Sequence, residues 1–149
     1  MLSTYHLFLE NKNIKKVNVN NINYIECIEK YNIPKDQCVL VGSALFRAYG
    51  LIKENDDLDV VVSPKIFSQL KNHNDFHQKE NIGTLKTFNS KFEILDTFNI
   101  LDMSFLELKR NSIKVQGYLF ASPQVLLKMY QKLNRPKDQE KIKLINKYF

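Results

Sequence analysis

Cys38-Val39-Leu40-Val41-Gly42-Ser43, followed after thirteen intervening residues by Asp57-Leu58-Asp59-Val60-Val61-Val62, decides how this chain reads. The first run is short, apolar and partly β-branched, the composition of a buried strand, and Gly42 ends it. A glycine there lets an anion approach the backbone closely. Ser43 to Tyr49 then reads as a short helix, with Ser43 as N-cap and Gly50 as its left-handed stop. The free amides of the first helical turn, the positive end of the helix dipole and the Ser43 hydroxyl all suit a phosphate group.

The second run is a strand by composition, and its period of two sends Asp57 and Asp59 to one face while Leu58 and Val60 point to the other. Two neighbouring carboxylates repel each other unless a cation joins them. A hard divalent ion takes oxygen ligands, and magnesium in particular binds one or two carboxylates together with substrate phosphates. Gly-Ser and Asp-Xaa-Asp each occur in ordinary loops and strand ends. Their pairing, each at the end of an apolar strand, points to one site for a triphosphate and its magnesium.

The flanking sequence supplies one compact α/β unit. Residues 5–9 alternate as a first, edge strand, and Ile22, Ile25 and Ile28 mark a helix face that Pro34 breaks before the Cys38 strand. Ser63-Pro64 is an N-cap with a first-turn proline, and Ile66, Phe67 and Leu70 form the stripe of the helix it opens. Leu85-Lys86-Thr87-Phe88 and Phe92-Glu93-Ile94-Leu95 flank Asn89-Ser90-Lys91 as a β-hairpin, in which Glu93 and Leu95 share one face and Ile94 and Asp96 the other. Ser104 to Glu107 is a capping box, Ser112 to Val115 a strand, and Ser122-Pro123 opens a helix with Val125, Leu126, Met129 and Leu133 on one face. A mixed sheet with helices packed mainly on one face is the α/β (α+β) architecture these elements allow.

Gly42-Ser43 with Asp57-Leu58-Asp59 resembles the signature of the polymerase-beta-like nucleotidyltransferase superfamily, particularly its minimal one-domain members. A second stretch, from Ala121-Ser122-Pro123 through Leu126-Leu127-Lys128 to Leu133-Asn134-Arg135-Pro136-Lys137-Asp138, is similar to the C-terminal helical segment of short members, so the resemblance spans about residues 39–145. It implies a nucleotidyltransferase-like fold and a third carboxylate on a later strand. Glu93, between apolar neighbours, is the first candidate, with Asp96 second and Asp102 third. It also implies a reaction in which Asp57 and Asp59 hold magnesium on an NTP, ATP by preference. Glu93 would bind a second metal or act as base toward the acceptor hydroxyl, and Gly42 and Ser43 would cradle the outer phosphates. Arg47 and Lys132 are candidates for further phosphate contacts. In similar families an acid often stands where this chain has Lys141 and a lysine stands near Tyr130, so no role carries over to that segment. Superfamily members also serve in toxin–antitoxin or phage-defence systems, which makes a weak or inactive nucleotide-binding interaction protein the alternative expectation.

Composition bounds what remains. At 149 residues the chain fits a single domain, with a core at about 38–120 and C-terminal helices at about 122–149, too short for a separate substrate domain. The acceptor, whether a small molecule, a tRNA or a protein, therefore has to be held by the C-terminal helices, by a second subunit in a homo-oligomer, or by its own bulk. Hydrophobic content of 44%, no apolar run of membrane-spanning length, a start without a secretory pattern and only Cys27 and Cys38 lead to the expectation of a cytoplasmic protein with reduced thiols and no membrane partner. A net charge of +6 favours an anionic partner. Lys141, Lys143 and Lys147 read as the solvated face of the last helix.

Overall fold

A computed structural model of the chain describes residues 17–78, 83–87 and 89–149. The strand expected at residues 5–9 and the hairpin residue Phe88 lie outside these. In chain order the regular elements are α1 (Glu26–Lys30), β1 (Cys38–Val41), α2 (Ala44–Ala48), β2 (Leu58–Val62), α3 (Pro64–Leu70), β3 (Phe76–Gln78), β4 (Thr84–Thr87), β5 (Phe92–Leu95), β6 (Thr97–Phe98), β7 (Met103–Ser104), α4 (Phe105–Arg110), β8 (Ser112–Val115), β9 (Tyr118–Ala121), α5 (Pro123–Leu133) and α6 (Asp138–Tyr148). Among the described residues no helix is long and apolar enough to cross a membrane.

Among the described residues, seven strands form one mixed sheet in the order β3-β4-β5-β2-β1-β9-β8, and β6 and β7 pair separately. The apolar runs take its centre. All four residues of β1 are buried, as are all of β2 except Asp59. Because alternate residues of a strand face opposite sides, burial at every β1 position means that both faces are covered there, which is more than helices mainly on one face would provide.

Local signals set the element boundaries. The Ser63 hydroxyl accepts a hydrogen bond from the Ile66 amide at 3.4 Å, Ser104 from Glu107 at 3.2 Å and Ser122 from Val125 at 3.2 Å, each satisfying an amide that the helix itself leaves open. Replacing Ser122 with alanine is expected to lower stability by about 1 kcal/mol in urea denaturation, with the fold retained. At the hairpin, the Asn89 carboxamide oxygen accepts from the Thr87 hydroxyl and the Lys91 amide, and Ser90 takes the left-handed conformation that closes the turn.

Register carries the fold to the site. β1 and β2 are antiparallel with Val41 opposite Asp59, while β2 and β5 are parallel with Asp59 beside Glu93. The end of β1, the start of β2 and the start of β5 therefore meet at one edge of the sheet's centre.

Candidate active site

A cavity of about 380 Å³ opens at that meeting point. Gly42, Ser43, Asp57, Asp59 and Glu93 all line it, with Asp56 beside them. Leu95, Phe98, Ile100, Met129 and Leu133 form an apolar wall, and Arg135, Lys137 and Lys141 bring positive charge from the C-terminal helices and the turn between them. The lining thus combines carboxylates, cations and apolar side chains.

Gly42 sits at φ +74°, a conformation that penalises any Cβ, and a Cβ placed there would stand 3.8 Å from Asp59 Oδ2. The bend after β1 thus brings bare backbone beside the acid. Substitution of Gly42 by alanine is expected to cost about 1–2 kcal/mol through its left-handed φ, read by chemical denaturation. Ser43 occupies the N-cap position of α2, but its backbone is already helical at φ −84° and ψ −1° and its side chain makes no capping bond. Its expected role as a cap is therefore not realised, because an N-cap side chain reaches back to the amides only from extended backbone. Gly50, at φ +69°, follows the helix as expected.

The acids differ in environment. Asp57 stands just before β2 and is exposed; Asp59, the second residue of the strand, is half-buried. Its Oδ1 is shut off from solvent and finds no hydrogen-bond partner among the described residues. Burial pushes the Asp59 carboxyl up to about 8, the charges of Asp57 and Glu93 push the same way, and so does a hydrogen bond shared with Glu93. Lys86, cross-strand neighbour of Glu93 in β4, opposes the shift and stands 3.7 Å from Glu93 Oε2.

Among the described residues no three His, Cys, Asp or Glu side chains stand close enough together to hold a metal ion as they are. Repulsion among like charges and the Lys86 ammonium beside Glu93 both work against a closed triad. The donor set nevertheless suits a hard divalent cation: an orphaned, desolvated carboxylate oxygen on Asp59 and a second carboxylate two residues away in the same cavity lining.

The remaining candidates separate. Asp96 and Asp102 do not line the cavity. Asp96 follows β5 on the opposite strand face from Glu93, and Asp102 ends the short helical turn Asn99–Leu101 in a left-handed conformation. Arg47 and Lys132 do not reach the cavity either; Arg47 Nε is buried without a hydrogen-bond partner among the described residues, and Lys132 is exposed on α5. The cations that line the cavity are Arg135, Lys137 and Lys141. Lys141 is half-buried at the cavity wall, whereas Lys143 and Lys147 are exposed as expected.

Arg135 is held in place. Its Nε and Nη2 donate to the two carboxylate oxygens of Asp138 at 2.8 and 2.9 Å, and its amide donates to Asp138 Oδ2 at 2.9 Å. Asp138 is only 1% exposed, and this guanidinium holds its carboxyl below the ordinary range. No family model, curated protein or solved structure matches this chain. The site is therefore characterised by its own geometry. Tyr130, buried in the cavity lining, has its hydroxyl pKa raised by that burial and keeps its proton, so it can donate a hydrogen bond into the cavity but not act as a base.

Proposed function

We propose that this chain is a magnesium-dependent nucleotidyltransferase with a nucleotidyltransferase-like fold, moving a nucleoside monophosphate from an NTP, ATP by preference, to an acceptor hydroxyl. One observation supports the reading: the Gly42–Ser43 bend and the acids Asp57, Asp59 and Glu93, far apart in sequence, line one cavity together with Arg135, Lys137 and Lys141. Polyphosphate is long and anionic. It needs a cation at the scissile end and basic side chains along the rest, and this cavity offers both.

Asp57 and Asp59 are the residues that would hold magnesium, which when bound neutralises phosphate charge and polarises the oxygens of the reacting phosphorus. Gly42 and Ser43 present backbone and a hydroxyl to the phosphates. Arg135, with its geometry set by Asp138, and Lys137 and Lys141 balance the remaining negative charge. The apolar wall excludes water from the nucleoside. Glu93 is the group that would take the acceptor's hydroxyl proton as the oxygen attacks the α-phosphorus and pyrophosphate leaves.

A second reading is favoured by one feature. Glu93 is engaged by Lys86, and a third acid already neutralised by a lysine suits a nucleotide-binding interaction protein that has no transfer activity. Isothermal titration of ATP with magnesium, then assay of pyrophosphate release over hydroxyl compounds, tRNA and protein acceptors, separates the two. Binding with release supports the transferase, and binding without release from any acceptor supports the interaction protein. Absence of magnesium-dependent binding overturns both.

A further inference from the structure

Asp57 poses a positioning problem. It precedes the strand and is exposed, so neither packing nor the β2 ladder fixes its carboxylate. The peptide unit that follows it is nevertheless gripped at both ends. The Leu58 amide donates to the Lys91 carbonyl at 2.8 Å, and the Asp57 carbonyl accepts from the Asn55 side-chain amide at 2.8 Å. Asn55 is itself 3% exposed and fully engaged. Its second Nδ2 proton goes to the Asn23 carbonyl at 3.0 Å, its Oδ1 accepts from the Asn23 amide at 2.8 Å, and its own amide donates to Asn23 Oδ1 at 3.1 Å.

A buried carboxamide whose donors and acceptor are all used has one orientation. Two asparagines 32 residues apart thus bind reciprocally, and the element they anchor is a cavity wall. Tyr24, next to Asn23, is held at φ +70°, a strained conformation for a residue with a Cβ that persists only where its surroundings overdetermine it.

We infer that Asn55 is a positioning residue for Asp57: by fixing the Asp57–Leu58 peptide it aims the Asp57 carboxylate at the cation of a magnesium–triphosphate complex in the cavity. The inference rests on the proposed function and adds to it a residue outside the cavity lining. Outer partners of metal-binding side chains typically change metal affinity by about 10- to 100-fold when removed.

The test is titration of magnesium–ATP into the full chain, wild type, Asn55→Ala and Asn23→Ala, each with its melting curve. Asn23→Ala keeps its backbone amide and carbonyl and leaves the Asn55–Asp57 bond in place. The expected result is that both variants melt lower, while Asn55→Ala alone loses about tenfold or more in magnesium–ATP affinity. Unchanged affinity in Asn55→Ala, or an equal loss in both variants, overturns the inference and leaves the proposed function standing. No binding by wild type overturns the two together. If Asn55→Ala does not fold, Asn55→Ser, whose hydroxyl is too short to serve both carbonyls, carries the same expectation. In wild type the Asn55 side-chain amide protons should exchange slowly and shift on addition of magnesium–ATP. Exchange at the rate of a free carboxamide overturns the clamp whatever the variants do.

Discussion

Asp59→Asn is expected to abolish magnesium-dependent pyrophosphate release and, in the same protein, to raise the stability of the metal-free fold. The first effect follows from the charge that the metal has to neutralise. Its electrostatic contribution is several kcal/mol, and at about 1.4 kcal/mol per tenfold in rate the loss is about a thousandfold or more. The second follows from the sign of the Asp59 shift. Its carboxyl is raised from the ordinary 3.8 to about 8 in the folded protein. Between those values the native state holds a proton that the unfolded chain has released, so stability falls as pH rises through the window, by up to about 1.4 kcal/mol per pH unit, and levels off above about 8. Asparagine has no such titration. The stability gain of Asp59→Asn should therefore be small near pH 4, grow towards pH 8 and shrink again when magnesium is added to wild type, which alone gains from the ion. Thermal denaturation with and without magnesium across that range reads it. A variant less stable than wild type at pH 8 without metal would mean that Asp59 is structural; unchanged turnover would remove it from the mechanism.

What could be read from the sequence was local. Caps at Ser63, Ser104 and Ser122, the Asn89–Ser90 turn, and the β1 and β2 runs are each specified by neighbouring residues, and each forms as expected. The site's acids were legible for a related reason. A period of two puts Asp57 and Asp59 on one face of a strand, whereas Glu93 came only from the family resemblance, which implies a third acid on a later strand, and from its apolar neighbours. The basic wall was not. Lys141 lies in a run of lysines on an amphipathic helix, and only the packing of α6 against α5 decides which of them turns inward. Lys86 could have been found, since hairpin register puts it opposite Glu93, but the cross-strand pairing has to be drawn to see it. Arg47 shows the converse: one turn beyond the Gly42–Ser43 bend in sequence, it is not among the residues that line the cavity. Asn55 gave no signal at all, because its partner is 32 residues away.

The second large effect concerns the anchor of the basic wall. Arg135→Ala is expected to destabilise the protein by about 1.5–3 kcal/mol, the range for lost hydrogen bonds to a charged group, and more than Asp138→Asn does. The asymmetry comes from burial: the Arg135 side chain is 45% exposed and can be rehydrated when its partner goes, whereas Asp138, 1% exposed, would be left as a buried carboxylate without its guanidinium. Asparagine at position 138 keeps one acceptor oxygen for the Arg135 amide and introduces no stranded charge. The pH dependence distinguishes this from a plain loss of packing. In wild type the depressed Asp138 pKa contributes stability above the ordinary carboxylate range, lost as pH falls through the folded value. In Arg135→Ala the carboxyl protonates more easily, and its burial then ceases to be a penalty. The gap between the two proteins should therefore narrow below about pH 4 and be widest at neutral pH. If the proposed function holds, the same substitution should also weaken ATP binding more than it weakens magnesium binding, since Arg135 is then a phosphate contact and the acids Asp57, Asp59 and Glu93 are left intact. Urea denaturation at pH 7 and pH 3.5, with titration of ATP and magnesium separately, measures all three consequences. A gap that is independent of pH would assign Arg135 to packing alone.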